Sequence, residues 1–192
     1  MKAKRTELRR RNKPQQGFTL IEVMVSMAVM TIGLVSLLGV FGLAMASTQS
    51  SQQAAIAKQL ADEALEGILT ARETANVSWS QIQNTGSGGI FLSGFQAINC
   101  AGVDGIVDTA DDSACGAETL SMPGPDGISG TADDVQLPLT NFRRSIAITP
   151  ALDGSGNPIA TLNSVVITVR YTTPQLKVAK NYVLSTYISQ YR

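Results

Sequence analysis

Histidine is absent from this 192-residue chain, cysteine occurs twice and tryptophan once. Without histidine the chain lacks the side chain most often used for acid–base catalysis, and one of the usual zinc ligands. A CxxC pair, a nucleophile elbow, a phosphate-binding glycine loop and a dinucleotide-binding fingerprint are also missing. The sequence therefore gives little support to an enzyme or to a zinc protein.

Charge is scarce where apolar residues are most dense. Within residues 18–46 the single charged residue is Glu22, and no proline lies between Pro14 and Pro123. These 29 residues make about 43 Å of helix, which exceeds a bilayer core of about 30 Å. The pattern predicts a transmembrane helix over 18–46 that runs on beyond the lipid.

A basic leader precedes this apolar segment. Residues 1–17 hold seven basic side chains and one acidic residue, Glu7, without the apolar run of a secretory signal. Basic residues beside an apolar span favour a cytoplasmic N-terminus. A nucleic-acid-binding arm is the alternative, but the adjoining span explains the charge better. Without the leader, 8 basic and 14 acidic residues remain, a net charge near −6.

Residues 17–26 read GFTLIEVMVS and resemble the cleavage and methylation signature of type IV prepilins and of type II secretion pseudopilins. The resemblance implies cleavage after Gly17 by prepilin peptidase and N-methylation of the new terminus, Phe18. Glu22, fifth after the cut, matches the family's glutamate. Residues 31–44 are similar to PilV-type minor pilins. The resemblance also implies the pilin fold, other pilin subunits as partners, and passage from a bacterial inner membrane into an extracellular filament.

The carboxylate of Glu22 is costly in lipid, by about 2.5–3.5 kcal/mol at the bilayer centre, so it needs a partner. The new ammonium group of Phe18 could neutralise it within one chain or between neighbouring chains. The resemblance favours the second arrangement, in which Glu22 selects the axial register of assembly. The alternative is a single-pass anchor whose carboxylate snorkels to the interface.

Residues 47–75 continue the helix with an amphipathic pattern. Apolar positions recur at helical spacing; they are Ile56, Leu60, Ala64 and Ile68, with Ala57, Ala61 and Leu65 beside them. The segments 142–149, 164–171 and 181–188 are rich in β-branched and aromatic residues and predict strands. We expect an α+β fold, with an antiparallel sheet of the 76–192 head packed on the helix and an insertion over about 84–138.

An acidic repeat occupies part of this insertion. Residues 102–112 recur as residues 124–134, an offset of 22, with eight of eleven positions identical. Carboxylates close together suit Ca²⁺, which takes six to eight oxygen ligands. The candidate ligands are Asp104, Asp108, Asp111 and Asp112 in the first copy, and Asp126, Asp133 and Asp134 in the second. Because Gly130 replaces an aspartate, the second copy should bind more weakly. Solvated acidic turns without an ion are the alternative.

Cys100 and Cys115 are the two cysteines. Beyond the membrane they would meet oxidising conditions, where pairing is expected. A disulfide closing a loop of about 16 residues stabilises a fold by about 3 kcal/mol in the chain-entropy model. Two free thiols or a metal pair are the alternatives.

The sequence as a whole predicts a minor pilin that is cleaved, enters a filament through its N-terminal helix, and serves pilus assembly, modification or adhesion. A type II secretion pseudopilin would share every N-terminal feature. A membrane-tethered calcium-binding or adhesive module that never polymerises is a third hypothesis. Whether the head binds nucleic acid is left open by the sequence.

Overall fold

The computed structural model describes residues 17–173 and 178–191, so predictions about the leader before Gly17 lie outside the described residues. The chain divides into two units, Met1–Met45 and Ala46–Arg192. Its elements in order are α1 (Leu20–Thr74), β1 (Gln96–Ala97), α2 (Asp112–Cys115), β2 (Thr119–Met122), β3 (Val135–Pro138), β4 (Phe142–Leu152), β5 (Pro158–Thr172) and β6 (Ala179–Ser189).

The first unit contains the apolar part of α1. Every residue over 17–45 is exposed, and the helix is long and apolar enough to cross a membrane. The hydroxyl groups of this segment are compatible with a lipid environment, because they donate hydrogen bonds to carbonyls of the preceding turn. Ser26 bonds the Glu22 carbonyl at 2.6 Å, and Ser36 bonds the Ile32 carbonyl at 2.9 Å. Such bonds satisfy polar groups inside the helix itself, as a lipid environment requires.

In the second unit α1 continues from Ala46 and packs against the sheet. Its buried face is Ala57, Leu60, Ala61, Ala64, Ile68 and Ala71. The predicted stripe is confirmed, with Ile56 and Leu65 half-buried at its margins. Alanine predominates on this face.

The main sheet is antiparallel, with strand order β1-β4-β5-β6. One face is covered by α1; its buried side chains include Phe142, Ile146, Ile148, Val165, Ile167, Val169, Tyr171 and Ile188. Each fully buried side chain of this size contributes about 1.5–3 kcal/mol of transfer free energy. This is the α+β arrangement of type IV pilins, as predicted, and β4, β5 and β6 extend beyond the three predicted strand segments.

The insertion between α1 and β4 carries its own small structures. β2 and β3 pair as an antiparallel two-stranded sheet, and a disulfide joins Cys100 to Cys115 with a Cα–Cα distance of 5.8 Å. The predicted pairing of the two cysteines is confirmed. Asn84 binds the backbone of β4, donating to the Ile146 carbonyl at 2.7 Å and accepting from Ile148 N–H at 2.8 Å.

Candidate functional site

The peptide junction after Gly17 is accessible. Gly17, Phe18 and Thr19 have no regular structure, and the Phe18 side chain is 83% exposed. In the described part of the chain, a Cβ added at Gly17 would meet no atom within 4 Å. The fold itself therefore does not require glycine at this position, and a requirement for it would come from a molecule that binds the junction.

Helix α1 begins at Leu20, two residues later than predicted, because Thr19 caps it. The Glu22 backbone N–H donates to the Thr19 hydroxyl oxygen at 3.3 Å, the bond of a helix N-cap. Phe18 thus precedes the helix. Glu22 lies in the first turn, where the helix dipole favours a negative charge. The spacing Thr19-x-x-Glu22 is that of a capping box, in which this carboxylate would have a second role as acceptor of the Thr19 N–H.

Loop 1, residues 102–112, gathers three of its four aspartates. One oxygen from each of Asp104, Asp111 and Asp112 lies within 4.8 Å of the others. Backbone groups hold these side chains: Asp104 N–H donates to Asp111 at 3.3 Å, and Gly102 N–H donates to Asp112 at 2.9 Å. The Thr109 hydroxyl donates to Asp111 at 2.6 Å and lowers the pKa of that carboxyl group. A cation could be held by these three carboxylates.

Loop 2, residues 124–134, connects β2 to β3 and repeats the hydrogen bonds that Asp111 accepts in loop 1. Asp126 N–H donates to Asp133 at 3.4 Å, and the Thr131 hydroxyl donates to Asp133 at 2.6 Å. Asp134 accepts from Gly130 N–H at 2.7 Å. These bonds lower the pKa of Asp133, chiefly through Thr131, and of Asp134, chiefly through Gly130. Within the described residues, these three carboxylates do not form a cluster as close as that of loop 1.

Asp108, the fourth predicted ligand of loop 1, is directed elsewhere. It is 3% exposed and accepts a hydrogen bond from Arg144 Nε at 3.0 Å. Arg144 is fully buried and also donates to the Leu60 carbonyl at 3.0 Å and to Glu63 at 3.4 Å. Burial raises the pKa of Asp108, and the arginine opposes that shift. Asp108 therefore ties loop 1 to α1 and β4.

This ion pair also explains why the two loops differ at one position. Asp108 has a φ of 62° and its counterpart Gly130 a φ of 88°, in the left-handed region that glycine adopts freely. Glycine is the low-strain residue at this turn. Aspartate replaces it in loop 1, where Arg144 is present to bind the carboxylate. The absence of an aspartate at Gly130 thus concerns anchoring of the loop rather than the loss of a metal ligand.

One family model matches the chain, the prokaryotic N-terminal methylation motif, over residues 12–38. No curated protein and no solved structure matches the chain significantly. The matched segment contains the Gly17–Phe18 junction, Glu22 and the first half of the apolar helix.

The chain carries a type IV prepilin-like signal sequence. This prepilin-like signal implies processing by a prepilin peptidase and points to a structural subunit rather than an enzyme. With the apolar helix that follows it, the signal fits anchoring in the inner membrane. The match ends at residue 38 and does not extend to the head.

The buried charges around Arg144 were not predicted from the sequence. Besides Asp108 and Glu63, the half-buried Glu118 lies near enough to interact with both Arg144 and Glu63. Burial raises the pKa of Glu118, repulsion by Glu63 adds to the rise, and Arg144 opposes it. The one signal in the sequence was the difference between Asp108 and Gly130 in otherwise similar repeats.

Proposed function

We propose that this chain is a minor pilin subunit of a type IV pilus, serving pilus assembly, modification or adhesion. The observation that carries the proposal is an accessible Gly17–Phe18 junction directly before an apolar helix whose described membrane segment has Glu22 as its one ionisable residue. A folded head on the same helix supplies the part that a filament displays. The subunit begins with its N-terminus in the cytoplasm and ends in an extracellular fibre.

Peptide cleavage after Gly17 creates the charged group on which the proposed assembly depends. Hydrolysis after Gly17 creates an ammonium group on Phe18, which is then methylated and stays cationic. The carboxylate of Glu22 is destabilised in lipid unless a cation lies beside it. The terminus of a neighbouring subunit can provide that cation, so each added subunit neutralises one buried carboxylate. This pairing sets the axial register between subunits.

The two roles of Glu22 can be separated by substitution. Glu22→Gln keeps a side chain able to complete a capping box but removes the charge. We expect this variant to be cleaved and anchored yet at least tenfold depleted from sheared filaments. The matched control is Thr19→Ala, which removes the observed cap bond and leaves the charge; it should assemble.

Normal assembly of Glu22→Gln together with failure of Thr19→Ala would show that Glu22 acts as a cap, and would refute register pairing. The N-terminal mass of protein from sheared filaments tests processing, with methylated Phe18 expected. A chain that retains its leader and never enters fibres would overturn the pilin proposal. Recovery of the processed chain in a secretion pseudopilus instead would favour the pseudopilin alternative, and anchoring without polymerisation would favour the tethered module.

Ca²⁺ at loop 1 is a second part of this proposal. Asp104, Asp111 and Asp112 present three carboxylates to one point, and an ion of this type takes further oxygens from backbone carbonyls and water. A ligand present at 100 times its dissociation constant stabilises the folded state by about 2.7 kcal/mol. Calcium should therefore raise the melting temperature of the full-length protein.

Loop 2 offers a control for this calcium site. Asp111→Asn should abolish the calcium-dependent rise in melting temperature, whereas Asp133→Asn, at the equivalent position of loop 2, should leave it intact. An unchanged melting temperature at millimolar calcium in the parent protein would remove the metal from the proposal and leave loop 1 as a solvated acidic turn.

A further inference from the structure

Two arginines stand side by side on the outer face of the main sheet. Arg143 on β4 and Arg170 on β5 are direct cross-strand partners, both are exposed, and both alternate with residues buried under α1. Among the described residues, neither has a carboxylate within ion-pair distance. Like charges directly opposite each other destabilise a sheet, so an external anion would relieve this repulsion.

The guanidinium group of Arg170 is fixed in position by two neighbouring residues. It lies over the Phe95 ring, with Cζ 3.9 Å from the ring centroid, and its Nε donates to Asn181 at 3.4 Å. In the described structure its two terminal nitrogens have no acceptor. A fixed guanidinium fork with two free nitrogens has the geometry that binds a carboxylate.

Two carboxylates share a cavity with Arg143 without pairing with it. A cavity of about 260 Å³ beside this arginine is also lined by Asp108 and Asp112. Asp108 is bound to Arg144, and Asp112 accepts backbone N–H groups from loop 1. Neither forms an ion pair with Arg143 in the described part of the chain, which leaves its guanidinium group without a bound carboxylate.

Loop 2 of the same chain has the complementary chemistry. Asp126 and Asp133 are exposed, and among the described residues no lysine or arginine lies within ion-pair distance of either. Ile128, between them, is 60% exposed, which adds an apolar contact. A long polyanion such as nucleic acid fits less well, because a mature chain of net charge near −6 repels it.

We propose that loop 2 of one copy of this chain docks on Arg143 and Arg170 of a second copy. The contact joins two different surfaces, so it is heterologous and propagates from copy to copy, as open helical assemblies require. It depends on the proposed function in one respect: the apolar helices must bring two copies into the same membrane or filament. Cleavage and the pairing of Glu22 are not involved.

Zero-length cross-linking tests the contact in the full-length protein. The variant Arg143→Lys/Arg170→Lys converts the pair into amines, which a carbodiimide joins only to carboxylates in direct contact. Unlabelled and ¹⁵N-labelled protein are mixed in one membrane, and the linked peptides are identified by mass. We expect mixed-isotope links from positions 143 or 170 to Asp126 or Asp133. Adding Asp126→Asn/Asp133→Asn should reduce these links at least tenfold.

Two controls make the result decisive. Lys58 and Asp62, 3.8 Å apart in one helix, must cross-link within each chain and show that the reagent works. Thr149→Lys, on the same outer face at the far end of β4, should yield no link to loop 2. Absence of mixed-isotope links, with the Lys58–Asp62 link present, would overturn the proposal. So would binding of a DNA duplex that Arg143→Glu/Arg170→Glu abolishes without such links. Links found between membrane-anchored copies that never enter filaments would instead refute the pilin proposal and leave the docking contact standing.

Discussion

Replacing Asp108 by glycine tests the anchoring of loop 1. The change leaves Arg144 buried without its nearest counter-ion. Breaking a buried pair from one side costs about 3–5 kcal/mol. Glycine also relieves the positive φ of 62° at this position, which returns about 1 kcal/mol. We therefore expect a net loss of about 2–4 kcal/mol, or a fall in melting temperature of about 4–16 °C for a head of this size.

Trp79 is the one tryptophan of the chain and lies in the second unit, so its fluorescence reports unfolding of the head in detergent-solubilised protein. The double variant Asp108→Gly/Arg144→Met removes both charges and should be more stable than the single variant. Gly130→Asp, the reverse change in loop 2, should cost about 1–2 kcal/mol, from backbone strain and from repulsion by the Asp134 carboxylate, which accepts the N–H of residue 130. A neutral single variant, or a double variant less stable than the single one, would refute the reasoning.

Three further changes have expected outcomes in the same fluorescence assay. Ala75→Gly should raise the free energy of unfolding by up to about 1 kcal/mol, because Ala75, the residue after α1, has a φ of 57° that glycine adopts freely. A loss of stability would contradict this. Glu118→Gln should become more stable than the parent protein as pH rises above 4.5. The raised pKa of Glu118 means that its ionisation destabilises the folded state of the parent. A difference in stability that does not change with pH would exclude this cause. Cys100→Ser/Cys115→Ser should lose about 3 kcal/mol, and an unchanged midpoint would show that the disulfide does not constrain the unfolded chain.

The helix and the strands could be predicted because their periodicity is local. Positions 57, 60, 61, 64 and 68 recur at helical spacing, and all are buried against the sheet. The strands of the head alternate or concentrate β-branched residues, which marks the pleated surface. The N-terminal signal is also local, since its glycine, its glutamate and the apolar run are contiguous.

The ion pair of Asp108 could not be predicted, because its partner Arg144 lies 36 positions later in the chain. Arg144 and Arg143 are adjacent on the same strand and carry the same charge. No pattern in the sequence shows which of the two is buried until the strand register is known. Glu118 likewise becomes half-buried only once the insertion folds over α1. Helix α1 begins two residues later than predicted for a local reason, since the hydroxyl of Thr19 caps the helix.

The matching hydrogen bonds of the two acidic loops have a consequence for engineering. A buried arginine holds loop 1 against the core, and loop 2 closes a surface hairpin, yet equivalent hydrogen bonds hold Asp104 and Asp111 in loop 1 and Asp126 and Asp133 in loop 2. An eleven-residue segment that forms these bonds in two such different structural contexts depends little on its surroundings. Grafted into an exposed hairpin of another protein, it should adopt the same conformation, provided that glycine rather than aspartate occupies its seventh position.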